Sequence, residues 1–306
     1  MEPIRIELPL GIMFRSVNCF LIPGEQLTLV DCGFDSAENW IIFRKKIEEH
    51  GYAIKDIEQI LITHEHRDHI GLLPKILDHS DAKVKAPKMI EGWFSRPEEM
   101  NAAGLSFIKK MYSRLGLPEE VQKKGLTFLE RIGSFPKIED VDRFEFFAEG
   151  DLVQIGNADW EVLNTPGHCP TQHVFLQKEK RQIFGSDMLL PIAPMPIVSE
   201  DPDRSGKANR ALKDLLTSYE RLKTFGLQIV YPGHGPVFSG ANSMIDQQLA
   251  RIQIRKAECL ELYRSGLTTI YEIHQKMYPD HRLPPNFSGI HMILGYLDLL
   301  REEGEI

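Results

Sequence analysis

The apolar positions of this chain fall into short aliphatic and β-branched runs, each closed by glycine, proline or an acid. SVNCFLIPG (16–24) and LTLVDCG (27–33) read as two strands joined by a turn at Pro23-Gly24. Helical spacing follows from Ser36, a fitting N-cap, to His50, with Gly51 as the stop. IEQILIT (57–63) predicts a buried strand, IGLLPKIL (70–77) the start of a helix, and AKVKAP (82–87) a further short strand. Four more strands are expected at 151–156, 160–168, 173–177 and 181–187. A Pro-rich loop (188–206), a helix (207–225), the strand LQIVYPGHG (227–235) and a mostly helical tail complete the pattern. Strands alternating with helices predict an α/β fold.

Residues 88–140 differ in character. They show helical spacing, Gly and Pro breaks, and a set of large apolar side chains: Met89, Trp93, Phe94, Met100, Phe107, Met111 and Tyr112. Two readings stay open, helices packed on the side of the body or an apolar cap over a pocket. The tail suggests three helices, at 250–266, 268–277 and 286–304. The expected organisation is a body over 1–240, with a cap-like helical insertion at 88–140, and a helical appendage over 241–306.

Composition narrows the function. The 306 residues allow one large core plus an appendage. No apolar run is long enough to cross a bilayer, and residues 1–14 lack the charged-then-apolar order of a signal peptide. Four widely spaced cysteines (Cys19, Cys32, Cys169, Cys259), with no CxxC pair, fit a reducing cytoplasm without disulfides. A net charge of −8 favours solubility and argues against a general nucleic-acid binder.

The chemistry concentrates in THEHRDHIG (63–71), where three histidines and two acids lie within His64 to His69. The stretch sits between a predicted strand and a predicted helix, a place where functional groups are displayed. Four other apolar strands end on a polar group beside Gly or Pro: LTLVDCG (Asp31), VLNTPGHCP (His168), QIFGSDML (Asp187) and QIVYPGHGP (His234). Strand ends gather along one edge of a sheet, so these residues are expected to converge. His64, His66, Asp68, His69, His168, Asp187 and His234 are too many donors for one open tetrahedral ion. They suit two divalent ions, zinc or else iron or manganese, sharing a carboxylate. Asp187 is the natural bridge, because it stands apart from the opening cluster. His64 and His66 project to one side of an extended segment. The second histidine comes too early for HExxH.

Taken together, LTLVDCG, THEHRDH, TPGHCP, GSDMLL and YPGHGP resemble the metallo-β-lactamase superfamily, whose core motif is HxHxDH. The resemblance covers roughly residues 15–240. VNCFLI and GSDMLLPIAP further resemble its glyoxalase II-like branch. It implies an αββα sandwich with a binuclear site at one edge. It also implies His64, His66 and His168 on a first metal, Asp68, His69 and His234 on a second, Asp187 bridging, and Asp31 orienting the site from behind. The implied activity is hydrolysis of a small ester, thioester or lactone by a hydroxide shared between the metals, with Asp68 accepting or relaying a proton. Glyoxalase II-like members often carry a second histidine four residues after the third-motif histidine. Here Gln172 holds that position and His173 follows, which puts a glutathione thioester in doubt.

An endoribonuclease of the same superfamily is the alternative, since the tail resembles the helical part of a winged-helix domain. Residues 241–306 carry seven Lys/Arg against nine Asp/Glu, however, and a nucleic-acid reader needs a basic face. A packing or homodimer role for the tail is expected instead. His50, His79, His173, His274, His281 and His291 read as structural, and Cys32 and Cys169 as small core residues.

Overall fold

Alternation along the strands sorts the core into three layers. The computed structural model describes residues 2–11, 15–132, 138, 140–201, 206–279 and 287–306. The first sheet runs β1 (Ile4–Pro9), β2 (Ser16–Ile22), β3 (Thr28–Val30), β4 (Gln59–Leu61), β5 (Lys83–Pro87), β6 (Phe144–Phe147), in that order. β1 to β3 pair antiparallel and β3 to β6 parallel. The second contains β7 (Leu152–Ile155), β8 (Ala158–Asn164), β9 (His173–Gln177), β10 (Gln182–Ser186) and β11 (Ile229–Pro232), ordered β11-β10-β9-β8-β7. Only β10 and β11 are parallel there.

In β2 the odd positions, Val17, Cys19 and Leu21, face an outer core, while Phe20 and Ile22 face the other sheet. In the second sheet Trp160, Val162, Phe175, Phe184 and Tyr231 point inward to meet them, and Leu163, Val174, Leu176, Ile183 and Val230 point outward. Phe184 packs between Phe20 and Tyr231 with ring centroids 5.5 and 4.9 Å away. Helices cover both outer faces, α1 (Ala37–Glu49), α2 (Arg67–Ile70) and α3 (Leu73–Leu77) the first, α7 (Ala211–Lys223) the second. The result is an αββα sandwich.

Three further helices, α4 (Glu91–Ser95), α5 (Pro97–Arg114) and α6 (Glu119–Ile132), occupy the expected insertion. Phe94 is buried in the first outer core, and Met111 and Tyr112 in the second. Trp93, Met100 and Phe107 are half-buried, and only Met89 of the seven large apolar side chains is exposed. Most of that apolar surface is therefore consumed by packing against the body. The tail folds as α8 (Ala241–Arg264), α9 (Ile270–Met277) and α10 (Phe287–Glu302). Its Ile252, Cys259, Ile273 and Ile293 share one apolar cluster with Leu176, Ile183 and Val230 of the second sheet. His281 lies outside the described residues.

Strand and helix expectations hold closely at β2, β3, β9 and α1, where Ser36 accepts the N–H of Asn39 as an N-cap. Two strands, β1 and β6, add to the expected set. The helix placed at 70–77 begins earlier, at Arg67, and is broken between Ile70 and Leu73. No helix among the described residues is long and apolar enough to cross a membrane, and all four cysteines are free and buried.

Candidate metal centre

The strand directions explain why the motifs meet. β3 and β4 are parallel, so Asp31 and Thr63–His64 leave the first sheet at the same edge. β8 and β10 are each antiparallel to β9 and so run the same way, with β11 parallel to β10. The segments bearing His168, Asp187 and His234 therefore leave the second sheet together. The sheets are tied at this edge by His173 N–H to Thr63 O (3.0 Å) and Asn18 N–H to Gly233 O (2.7 Å).

Local backbone is strained where the site forms. Asp31 and Ser186 hold positive φ, 59° and 43°, in a region that side chains avoid. Gly233 is required for a different reason: a Cβ there would lie 2.1 Å from Asp187 Oδ1. Gly167, with φ 146°, passes so close to α7 that a Cβ would sit 2.5 Å from Leu215 Cα.

The hydrogen bonds decide which histidine nitrogen faces inward. Nδ1 of His69 donates to Asp31 Oδ2 (2.8 Å), that of His168 to Met195 O (2.9 Å), and that of His234 to Ser16 O (2.7 Å). Nδ1 of His64 lies 3.0 Å from Thr63 Oγ1. Thr63 Oγ1 also meets Asp31 Oδ2 (2.8 Å) and Ser186 Oγ (2.8 Å), and its N–H donates to Asp31 Oδ1 (2.9 Å). The arrangement is fully satisfied if Thr63 donates to Asp31 and accepts from His64 and Ser186. Each of these four rings thus holds a proton on Nδ1 and turns Nε2 inward.

Those inward nitrogens converge. His66 Nδ1 lies 3.0 Å from His64 Nε2 and 2.8 Å from His168 Nε2. On the other side, His69 Nε2 is 3.3 Å from Asp187 Oδ1, and His234 Nε2 is 3.2 Å from Asp187 Oδ2 and 3.5 Å from Asp68 Oδ2. Asp187 Oδ2 also stands 3.4 Å from His168 Nε2, so this one carboxylate touches both groups. His69 Nε2 and Asp187 Oδ1 are buried without a hydrogen-bond partner, although they face each other. Imidazole and carboxylate donors crowded at these distances, with two orphaned polar atoms among them, fit divalent cations. All seven expected donors are at the site, and Asp31 lies behind His69.

Electrostatics follow from burial. His64 is pushed well below its ordinary range by burial and by His69 and His66 beside it. Burial pushes His168 down to about 4. Burial alone would depress His69, but Asp187, Asp31 and Asp68 hold it well above the usual range. Burial would raise Asp187, yet His234, His69 and His168 keep its carboxyl well below the usual range.

Some participants carry no motif. Thr63 and Ser186 bracket Asp31 and His64, a role the strand pattern alone does not announce. Cys169 is buried as expected, but its thiol also groups with the donor atoms of His64 and His66, within 4.8 Å of one another. The thiol meets Thr171 Oγ1 (3.2 Å), and burial, with Glu65 nearby, raises it well above its usual range. Thr171 in turn donates to Glu65. His173 packs instead: Nδ1 donates to Thr171 O (2.8 Å) and the ring stands edge-on to Phe147. Gln172 turns its amide N–H toward His173 O (2.7 Å).

Comparison with known proteins agrees with this geometry. The chain is 24% identical over 305 residues to "Probable metallo-hydrolase YqjP" of Bacillus subtilis (strain 168), covering 100% of this chain and 94% of that one. It is 28% identical over 174 residues to "Hydroxyacylglutathione hydrolase GloC" of Haemophilus influenzae, covering 56% of this chain and 66% of that one. The fold matches the crystal structure of a metallo-beta-lactamase family protein from Thermus thermophilus with a TM-score of 0.80 and 23% identity, over 99% of this chain and 94% of the other. Residues 12–234, ending on the last of the clustered histidines, match the family model of the metallo-beta-lactamase superfamily, and the chain belongs to that superfamily of hydrolases.

Proposed function

We propose that this edge holds two divalent metal ions, zinc in preference to iron or manganese, and hydrolyses the carbonyl group of a small ester, thioester or lactone. His64, His66 and His168 would hold one ion, Asp68, His69 and His234 the other, with Asp187 between them. The observation that carries the reading is the set of inward-facing histidine nitrogens on both sides of one buried carboxylate. Divalent ions bound there would supply a Lewis acid for a substrate carbonyl and would lower the pKa of a water toward neutrality. The protein's own part is orientation and charge. Asp31 fixes the His69 ring, Thr63 fixes His64, and the carbonyls of Met195 and Ser16 fix His168 and His234. Asp187 offsets the repulsion between two cations. Asp68, half-buried beside His234, is placed to accept or relay a proton.

The name of the Haemophilus relative supports a thioester within this class. Gln172, which turns toward its own strand, gives no support to a glutathione-specific assignment. A small substrate is favoured over RNA by the charge balance: residues 88–140 hold nine Lys/Arg against eight Asp/Glu, and the tail is acidic. The test is a panel of aryl esters, acyl thioesters, lactones and single-stranded RNA offered to metal-loaded protein. Turnover of the carbonyl substrates is expected to exceed RNA cleavage. Efficient RNA cleavage, lost in His66→Ala and without esterase activity, would reverse the assignment to a nuclease.

A further inference from the structure

The loop 188–198 (MLLPIAPMPIV) forms one wall at His168 and belongs to no sheet. Pro191, Pro194 and Pro196 have no N–H, so the loop cannot pair as a ladder strand. Its remaining backbone groups must find partners elsewhere. Two bonds go to His168: Met195 O accepts its Nδ1–H (2.9 Å), and Ile197 N–H donates to His168 O (2.9 Å). Others go to the tail. Gln248 on α8 donates Nε2–H to Ile192 O (3.2 Å) and reaches Leu190 O (3.5 Å). His291 on α10 accepts Val198 N–H on Nδ1 (3.2 Å).

Both tail residues are buried, and each makes its contact at a cost. His291 Nε2 and Gln248 Oε1 have no partner. A leucine or methionine would pack at either position without that cost. Burial pushes His291 down to about 4, so the ring is neutral at pH 7 and its Nδ1 stays an acceptor.

We infer that the C-terminal helices set the orientation of His168 through this loop, with His291 and Gln248 as positioning residues. The tail then serves the body's chemistry directly. It pins the loop at 190–192 and at 198, and between those points the loop holds the imidazole proton of His168 on Nδ1. The inference rests on the reading of His168 as a metal ligand.

The test titrates cobalt(II) into the full-length apoprotein against a competing chelator and follows both binding steps by absorption. His291→Leu should weaken one step by about tenfold or more, the size seen when a residue that orients a ligand is lost. The same step should be the one abolished by His168→Ala, and the other should move by less than about threefold. His291→Asn keeps an acceptor in place of Nδ1 and should restore the weakened step. Gln248→Met, similar in volume, should act in the direction of His291→Leu and decides the matter if that variant does not fold. Cobalt binding like wild type in both His291→Leu and Gln248→Met, or equal loss of both steps in each, would overturn the inference. If His168→Ala itself keeps both steps, the ligand assignment fails first. If His168→Ala loses one step while the tail variants do not, only the inference about the tail fails.

Discussion

Across Asp187 from each other, His69 and His168 are held differently. On one side His69 is oriented by Asp31, a buried carboxylate at the end of β3 that also takes the Thr63 N–H. On the other, His168 is oriented by the neutral carbonyl of Met195, in a loop outside both sheets. A charged acceptor on a sheet edge raises the basicity of its histidine and is rigid by construction. A backbone carbonyl is the weaker partner and is only as well placed as the loop that carries it. The difference teaches that a cluster of donors can be uneven in its support even where its members look equivalent. Asp187 reaches histidines of both sides, so it is where that contrast should disappear.

Substituting Asp187 should have the largest effect. Asp187→Ala is expected to abolish hydrolysis and weaken both ions by more than about 100-fold, since losing a residue that merely orients a ligand already costs about 10–100-fold. Metal analysis after gel filtration checks this; an Asp187→Ala protein that keeps one ion tightly would show that the carboxylate belongs to one side only. Removing the ions from wild type should be the next largest effect. His69 Nε2 and Asp187 Oδ1 are already buried without partners, so ion binding is coupled to folding. At an ion concentration about a thousand times its Kd, about 4 kcal/mol of stability is expected from each site. A thermal melt with and without chelator measures it, and identical melting temperatures would contradict it.

Asp31→Ala should separate the two sides. It is expected to weaken the ion held by His69 by about 10–100-fold and the ion held by His168 by less. Some effect will cross over, because Thr63 joins Asp31 to His64. Equal weakening of both ions would erase the contrast. The smallest effect should be that of His173→Ala. Its ring packs on Phe147 and bonds Thr171 O, so the protein should be less stable while its metal content is unchanged. Loss of metal there would show the ligand set to be wrong.

How much of this can be read from the chain depends on where each signal lies. His64, His66, Asp68 and His69 are legible from their density in one strand-to-helix stretch, and His168, Asp187 and His234 because each stands where an apolar run meets Gly or Pro, with strand ends converging by geometry alone. Helix α1 is legible from Ser36 and Gly51, which supply a cap and a positive φ of 83°. The alternation of Ile4, Ile6 and Leu8 marks β1 as well, whereas β6 leaves little trace, being a four-residue, half-exposed edge strand (Phe144–Phe147) without that alternation. The helix after the first motif starts three residues early because Arg67, Asp68 and His69 form its first turn, with His66 as the N-cap. The anchors of His168 and His234 leave no trace, because a backbone carbonyl has no residue type. Thr63 and Ser186 are hidden for a related reason: a hydroxyl at a strand end is ordinary until its neighbours are known.

The central claim is that two ions sit on either side of Asp187, and metal stoichiometry tests it most directly. Protein loaded with zinc or manganese, freed of excess and analysed by elemental methods, should hold about two ions per chain, because six donors around a shared carboxylate exceed what one tetrahedral ion can use. A value that stays at one, at ion concentrations high enough to fill a weak second site, would contradict the account.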